Sequence, residues 1–161
     1  MPSSLIIKCA ASIAYRNWNI AFAESATAGR MCSEFSLTPD SGKILRGGIC
    51  CYEIFIKEQI LKVPHKLIKQ YTAESAEVTL EMAKNATRFF NSNVTVAVTG
   101  LTAPGGSETE DKPVGTMFLC IITPVGTIHD RTVFSGSPEE IIKQVIERAA
   151  ALITEQLTIN N

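Results

Sequence analysis

Ser25, Tyr52 and Lys57 are the residues whose types and spacing offer chemistry. Ser25 lies in Ala23-Glu24-Ser25-Ala26-Thr27-Ala28-Gly29. The apolar run Ile20-Ala21-Phe22-Ala23 before it reads as a short buried strand, and the stretch from Gly29 to about Leu37 as a helix. A strand that breaks into a helix through small residues leaves backbone N–H groups unpaired, which favours an anion or a developing negative charge. Few side chains stand around a serine there to block a substrate. A serine hydroxyl is a poor nucleophile until something accepts its proton. A desolvated lysine, or a lysine acting through a tyrosine, can do so. Tyr52, with Lys57 five residues on, supplies that pair. A third strand end, Thr99-Gly100, opens a Gly/Pro loop through Gly105 and Gly106, and Lys112-Pro113-Val114-Gly115-Thr116 leads back. Such a loop can bring backbone N–H groups to a phosphate or an oxyanion. Each feature alone also has a structural explanation. Ser25 or Thr27 is a favoured helix cap, Lys57 a solvated lysine, Tyr52 a strand-end aromatic, and the glycines turn residues. The signal lies in their conjunction. Neither G-x-x-x-x-G-K-[ST] nor G-x-G-x-x-G occurs, which weighs against a P-loop nucleotidase and a dinucleotide fold.

The totals narrow the class. A chain of 161 residues is expected to form a single domain over 1–161 with a real hydrophobic core. With 45% apolar and 19% charged residues it reads as globular, not disordered. A net charge of −1 with scattered charges predicts no nucleic-acid partner. The five cysteines are odd in number and form no C-x-x-C, and Cys50-Cys51 read as buried thiols, which suits a reducing compartment. His65 and His129 are far apart and lie in no metal or triad motif, so no metal and no cofactor are expected. No signal peptide and no membrane span are read, and a cytoplasmic location is expected.

The elements that must position these residues follow from periodicity. Ser3 or Ser4 can cap a helix to about Arg16, with Leu5, Ile6, Cys9, Ile13 and Ala14 as its apolar stripe. After the first strand and its helix, Thr38 to Gly42 reads as a loop. Gly47-Gly48 precedes a short strand over Ile49 to Tyr52. Glu53 to Leu61 is readable as helix, Lys66 to Tyr71 as a helical turn, and Thr72 to Phe90 as a helix capped by Thr72 or Ser75. Val94 to Thr99, Val114 to Thr123 and Thr127 to Phe134 read as strands, the last two forming a hairpin. Ser137, Pro138 and Glu140 make a capping box for a final helix. Helices interleaved with strands, with one late hairpin, predict an α/β three-layer fold with a mixed sheet.

At these residues the sequence resembles the C-terminal domain of the competence/damage-inducible CinA proteins, a family that includes stand-alone nicotinamide mononucleotide deamidases. The family's A-E-S-C-T-G-G is answered by Ala23 to Gly29, its G-G stretch, tyrosine and lysine by Gly47, Gly48, Tyr52 and Lys57, and its A-V-S by Ala73-Glu74-Ser75. S-G-I-A-G-P-G-G is answered by Thr99 to Gly106; K-P-V-G-T is intact from Lys112 to Thr116, and F-S-G at Phe134-Ser135-Gly136. The resemblance covers nearly the whole chain, in order. It implies a three-layer α/β/α sandwich with a mixed, mostly parallel sheet. It also implies hydrolysis of the carboxamide of nicotinamide mononucleotide to nicotinate mononucleotide and ammonia, in pyridine nucleotide salvage. Ser25 would attack the carboxamide, Lys57 would serve as base, and Tyr52 would orient or relay a proton. Backbone N–H groups near Ala26 to Gly29 would hold the oxyanion. Glu24, Thr27, Gly29, Gly48, Thr99, Gly100, Gly105, Gly106 and Lys112 would line the substrate site, the last of these and the loop holding its phosphate or ribose. The partner expected is a small-molecule pyridine nucleotide, and small α/β proteins with apolar strand edges are expected to form homo-oligomers.

Several positions depart from the family pattern. Ala26, Ala28 and Ala103 stand where it has cysteine or glycine, and a methyl group is costly where the backbone must approach a ligand or take a positive φ. Glu53-Ile54-Phe55-Ile56 replaces a more polar S-N-E-A, and Pro138 and Ile142 stand where arginines often meet a phosphate. The departures carry an alternative: a catalytically weak or inactive paralogue that binds a nucleotide or regulates a partner.

Overall fold

The computed structural model describes residues 1–160. Five strands form one sheet in the order β2-β1-β3-β4-β5. They are β1 (Ile20–Glu24), β2 (Leu45–Cys50), β3 (Val94–Gly100), β4 (Thr116–Thr123) and β5 (Gly126–Val133). Strand β1 pairs in parallel with both β2 and β3, while β4 is antiparallel to β3 and to β5. All strands except β4 therefore point the same way, and the fold is the expected three-layer α/β sandwich with a mixed, mostly parallel sheet. The buried apolar faces sort into two clusters. On one side Ile6, Cys9 and Ile13 of α1 (Ser4–Tyr15), Met31 and Phe35 of α2 (Arg30–Ser36), Ile44 of α3 (Ser41–Ile44) and Val145 and Ile153 of α7 (Pro138–Ile159) cover Phe22, Val96 and Leu119. On the other, Ile68 of α5 (His65–Tyr71) and Val78, Met82 and Ala86 of α6 (Ala76–Phe90) cover Ala23, Ala97 and Cys120. Because β1 and β3 are covered on both faces, they read as near-continuous apolar runs.

The differences from the sequence reading have local causes. Strand β2 starts at Leu45, before the glycine pair, and stops at Cys50. Gly47 and Gly48 belong to the ladder, opposite Ala21 and Phe22 of β1. A Cβ on Gly48 would lie 3.0 Å from the Cys32 Cβ and 3.3 Å from the Phe22 Cβ, so glycine lets β2 close against α2. Side chains alternate along a strand, so Cys50 is exposed while Cys51 is buried, and the expectation of two buried thiols fails at Cys50. Helix α6 starts at Ala76, with Ser75 as its cap accepting from the Val78 N–H; Thr72, at φ 70°, is outside it. Ser3 stands at the N-cap of α1, but its hydroxyl makes no cap bond, and Leu5 faces outward. The expected loop after Thr38 contains the single turn of α3. Strand β4 begins at Thr116, leaving Val114 and Gly115 outside it. The capping box at Ser137 and Glu140 is formed as expected, with Pro138 in the first turn.

Gly100 ends β3 in close contact with β4. A Cβ there would collide with Met117 Sδ and lie 2.6 Å from the Thr116 carbonyl oxygen. Gly100→Ala is expected to lower stability by about 1–3 kcal/mol through overpacking, readable as a fall in denaturation midpoint with an unchanged m-value.

Candidate active site

The site sits beyond the C-terminal ends of β1 and β3, where an open α/β sheet leaves a crevice. Ser25 follows β1 directly, and its N–H still donates to the Val98 carbonyl on β3 at 3.0 Å. Lys57 comes from α4 (Ile54–Gln59), the helix that follows β2. Its side chain is only 1% exposed. The Lys57 Nζ lies 2.9 Å from Ser25 Oγ, 2.8 Å from the Cys51 carbonyl oxygen and 3.2 Å from the Tyr52 carbonyl oxygen. Burial pushes the lysine below its ordinary value of 10.5, and the nearby charges of Cys51, Glu74 and Cys50 oppose that shift. A neutral lysine has two N–H groups and one lone pair. The ammonium form donates to all three oxygens, Ser25 Oγ included. Once a proton is lost, two carbonyls for the N–H groups leave the lone pair for the Ser25 O–H, the arrangement an amine needs to take the serine proton. Cys51, beside it, is no rival nucleophile: burial pushes its thiol up to about 11.

Tyr52 has a different part from the expected relay. Its carbonyl holds Lys57, but its ring is 68% exposed and its hydroxyl bonds to neither Ser25 nor Lys57. The ring forms a wall of the cavity that opens on Ser25. That cavity, about 240 Å³, is completed by Ala26, Glu74 and the loop from Gly100 to Gly106.

The structure sorts the remaining expected site residues into lining and support. Gly100, Gly105 and Gly106 line the cavity. Glu24, Thr27, Gly29, Gly48, Thr99 and Lys112 do not. The Glu24 carboxylate is buried and accepts from the Thr27 hydroxyl at 2.5 Å and from the N–H groups of Gly29, Met31 and Cys32 at 3.1, 2.9 and 2.7 Å. The start of α2 is therefore already satisfied by the chain's own anion. The oxyanion donors expected across Ala26 to Gly29 narrow accordingly. The Ala28 N–H donates to the Ser25 carbonyl, while those of Ala26 and Thr27 have no acceptor among the described residues. Thr99 is fully buried, its hydroxyl 2.9 Å from that of Thr79. Lys112 gives its ammonium to the Thr72 hydroxyl, the Glu74 carbonyl and the Ser107 hydroxyl at 2.7, 2.9 and 2.9 Å, tying the glycine loop to the approach to α6. All three of its donors are thereby occupied. The loop glycines are engaged as well: the Gly105 and Gly106 N–H groups donate to the two oxygens of Glu108 at 2.7 and 2.8 Å. Pro138 opens α7, and Ile142 in the same helix packs against the core; neither lines the cavity.

Sequence reading missed Glu74, Ser107 and Glu108. The signal for Glu74 was present, since it replaces an apolar residue in the A-V-S opening. Among the described residues, no group of three or more His, Cys, Asp and Glu side chains is placed to hold a metal ion, and no helix is long and apolar enough to cross a membrane.

One departure has a visible cost. Ala28 takes φ 47°, a left-handed conformation that L-residues adopt at a cost of about 1–2 kcal/mol. Ala28→Gly is expected to stabilise the protein by about 1 kcal/mol, a rise in Tm of about 2–4 °C in a chain of this size.

A turn-borne serine backed by a buried lysine stands at the end of the mixed, mostly parallel sheet. The chain belongs to the CinA C-terminal domain family, whose model matches residues 3–157. It is 35% identical over 140 residues to a CinA-like protein of Prochlorococcus marinus subsp. pastoris, covering 86% of this chain and 31% of that protein. It is 39% identical over 114 residues to one from a Synechococcus species, covering 71% and 27%. The chain thus spans less than a third of the length of these relatives. Among solved structures it is similar to the competence damage-inducible protein A of Klebsiella pneumoniae, with TM-score 0.89 at 24% identity over 96% of this chain and 95% of that one. It is also similar to a competence-damaged protein (CinA) superfamily protein of Escherichia coli, with TM-score 0.86 at 26% identity over 95% and 88%.

Proposed function

We propose that this chain is an amidohydrolase that converts nicotinamide mononucleotide to nicotinate mononucleotide and ammonia, with Ser25 as nucleophile and Lys57 as base. The observation that carries the reading is the 2.9 Å contact between Ser25 Oγ and a buried lysine whose ammonium form is disfavoured. In this mechanism Lys57 takes the Ser25 proton as Oγ bonds to the carboxamide carbon. The oxygen that becomes negative meets the unpartnered N–H of Ala26, which lines the cavity. Lys57 then returns the proton to the nitrogen as the C–N bond breaks and ammonia leaves. Water repeats the sequence on the acyl-serine: Lys57 takes its proton, the acyl C–O bond breaks, Ser25 recovers its proton, and the free carboxylate departs. Every transfer runs through one nitrogen already in contact with the serine. Glu24 supports the reading from behind, because it anchors the turn that carries Ser25.

The test is ammonia release from nicotinamide mononucleotide by the purified protein and by Ser25→Ala. Release by the wild type and background release by the variant are expected. Equal release by the two proteins would overturn the reading. A ligand-dependent rise in Tm without ammonia would instead favour a nucleotide-binding paralogue.

A further inference from the structure

Of the residues that line the Ser25 cavity, Glu74 alone carries a charge. Its carboxylate is half-buried, and one oxygen accepts from the Ser107 hydroxyl at 2.5 Å. It makes no salt bridge among the described residues. Half-buried Lys112 binds the Glu74 carbonyl and two hydroxyls, not the carboxylate, and Lys57 feels the Glu74 charge without a hydrogen bond to it. A second observation, at the rim, points the same way. The backbone donors of Gly105 and Gly106, the groups a substrate phosphate would need, are bridged by the Glu108 carboxylate. The mouth therefore holds two carboxylates, and the loop's donors for an anion are filled from within. Such a field draws cations and repels anions. The exposed ring of Tyr52, on the same cavity, offers the aromatic surface that a flat cation favours.

We propose that Glu74 sets the specificity of this site for amides borne on a cationic ring, the ring's positive charge being recognised and a phosphate group not. The proposal rests on the amidohydrolase reading for the word "amide", but the recognition of charge stands apart from turnover. The Glu74 charge acts on Lys57, but the neutral Lys57 that the reaction needs supplies no countercharge, and Lys112 reaches the carboxylate only through the Ser107 hydroxyl. A half-buried carboxylate without a direct ion pair is costly, and a cationic substrate offsets that cost on binding. The reacting carboxamide of a pyridinium ring would then face Ser25 while the ring nitrogen's charge is matched by Glu74. Glu74 is in this sense a positioning residue: it does not touch the reacting atoms.

The experiment separates charge recognition from chemistry. Binding is measured by calorimetry in Ser25→Ala with 1-methylnicotinamide, a permanent cation, and with nicotinamide, its neutral counterpart. The cation is expected to bind about tenfold more tightly, and adding Glu74→Gln to remove that preference. The amide of Glu74→Gln still accepts from Ser107, so the loop latch is kept; an unchanged Tm checks this. Glu74→Asp is expected to retain part of the preference, which a merely structural role would not predict. In turnover, at a pH above the Lys57 acid limb, nicotinamide riboside is expected to match nicotinamide mononucleotide in kcat/KM within about twofold, and Glu74→Gln to raise KM for the riboside about tenfold with little change in kcat. Equal binding of cation and neutral amide, failure of both to bind, or a preference that survives Glu74→Gln would overturn the proposal. So would a riboside much poorer than the mononucleotide. A cation preference abolished by Glu74→Gln with no ammonia from any amide would support the charge assignment and remove the amidohydrolase reading.

Discussion

Lys57→Met is expected to lower kcat for amide hydrolysis by at least about a thousandfold, with substrate binding in Ser25→Ala and its double variant nearly equal. Methionine has a similar length and suits the buried path of the side chain, but it has no lone pair for the serine proton. The loss should equal that of Ser25→Ala and should not add to it, because serine and lysine act as one unit. Lys57→Arg is expected to be just as inactive, since a guanidinium stays charged and accepts no proton. A Lys57→Met variant with more than about a tenth of the wild-type kcat would remove Lys57 as the base.

The same lysine fixes the sign of two pH effects. Burial lowers its pKa from 10.5, so the active neutral form appears at lower pH than for an exposed lysine. In the wild type, kcat/KM is expected to rise with pH as Lys57 loses its proton, along an acid limb lying below the ordinary lysine range. For stability, a buried amine with a lowered pKa binds fewer protons in the folded state than in the unfolded one. Its penalty is fully present below the folded pKa and is relieved as pH rises toward 10.5, so folding gains stability across that window.

How far the sequence could reach is seen by comparing Ser25 and Lys57 with Glu24 and Lys112. Ser25 follows an apolar run that reads plainly as a strand, whereas Lys57 lies inside α4, in a stretch readable either way, and only the fold brings the two within 2.9 Å. The large helices α6 and α7 were legible because an apolar stripe and a serine N-cap, completed to a capping box in α7, leave few alternatives. Glu24 and Lys112 sit in matching motifs, yet motif position says nothing about which hydrogen bonds a side chain already makes. Glu24 bonds the turn behind the serine, and Lys112 latches the loop. Thr99 was legible as a strand end, but its inward direction depended on Thr79 across the layer. Cys50 misled because a run of apolar residues hides the alternation of a strand at a sheet edge. Glu74 and Glu108 meet the cavity only through loop folding, which no short-range pattern encodes.

Glu24→Ala is expected to destabilise the fold by about 3–5 kcal/mol and to lower Tm by about 10 °C or more. The carboxylate is 1% exposed, and its removal strands buried donors that water cannot reach. Oε2 accepts from the Thr27 hydroxyl and from the Gly29 and Met31 N–H groups, while Oε1 accepts from the Cys32 N–H. That division makes a graded series. Glu24→Gln can keep the Oε2 partners with its oxygen, but its amide then confronts the Cys32 N–H, so a loss of about 1–3 kcal/mol is expected. Glu24→Asp shortens the reach to the start of α2 and should fall between the two. Because the Glu24 carbonyl also accepts the Cys51 N–H at 2.8 Å, the turn holding Ser25 and the strand end holding Lys57's carbonyl partners share this residue. Activity is therefore expected to fall further than the folded fraction in Glu24→Gln, measured at a temperature where the variant is fully folded. A Tm unchanged by Glu24→Ala would show that the helix start is satisfied by water, and that the buried carboxylate is not what holds the nucleophile's turn in place.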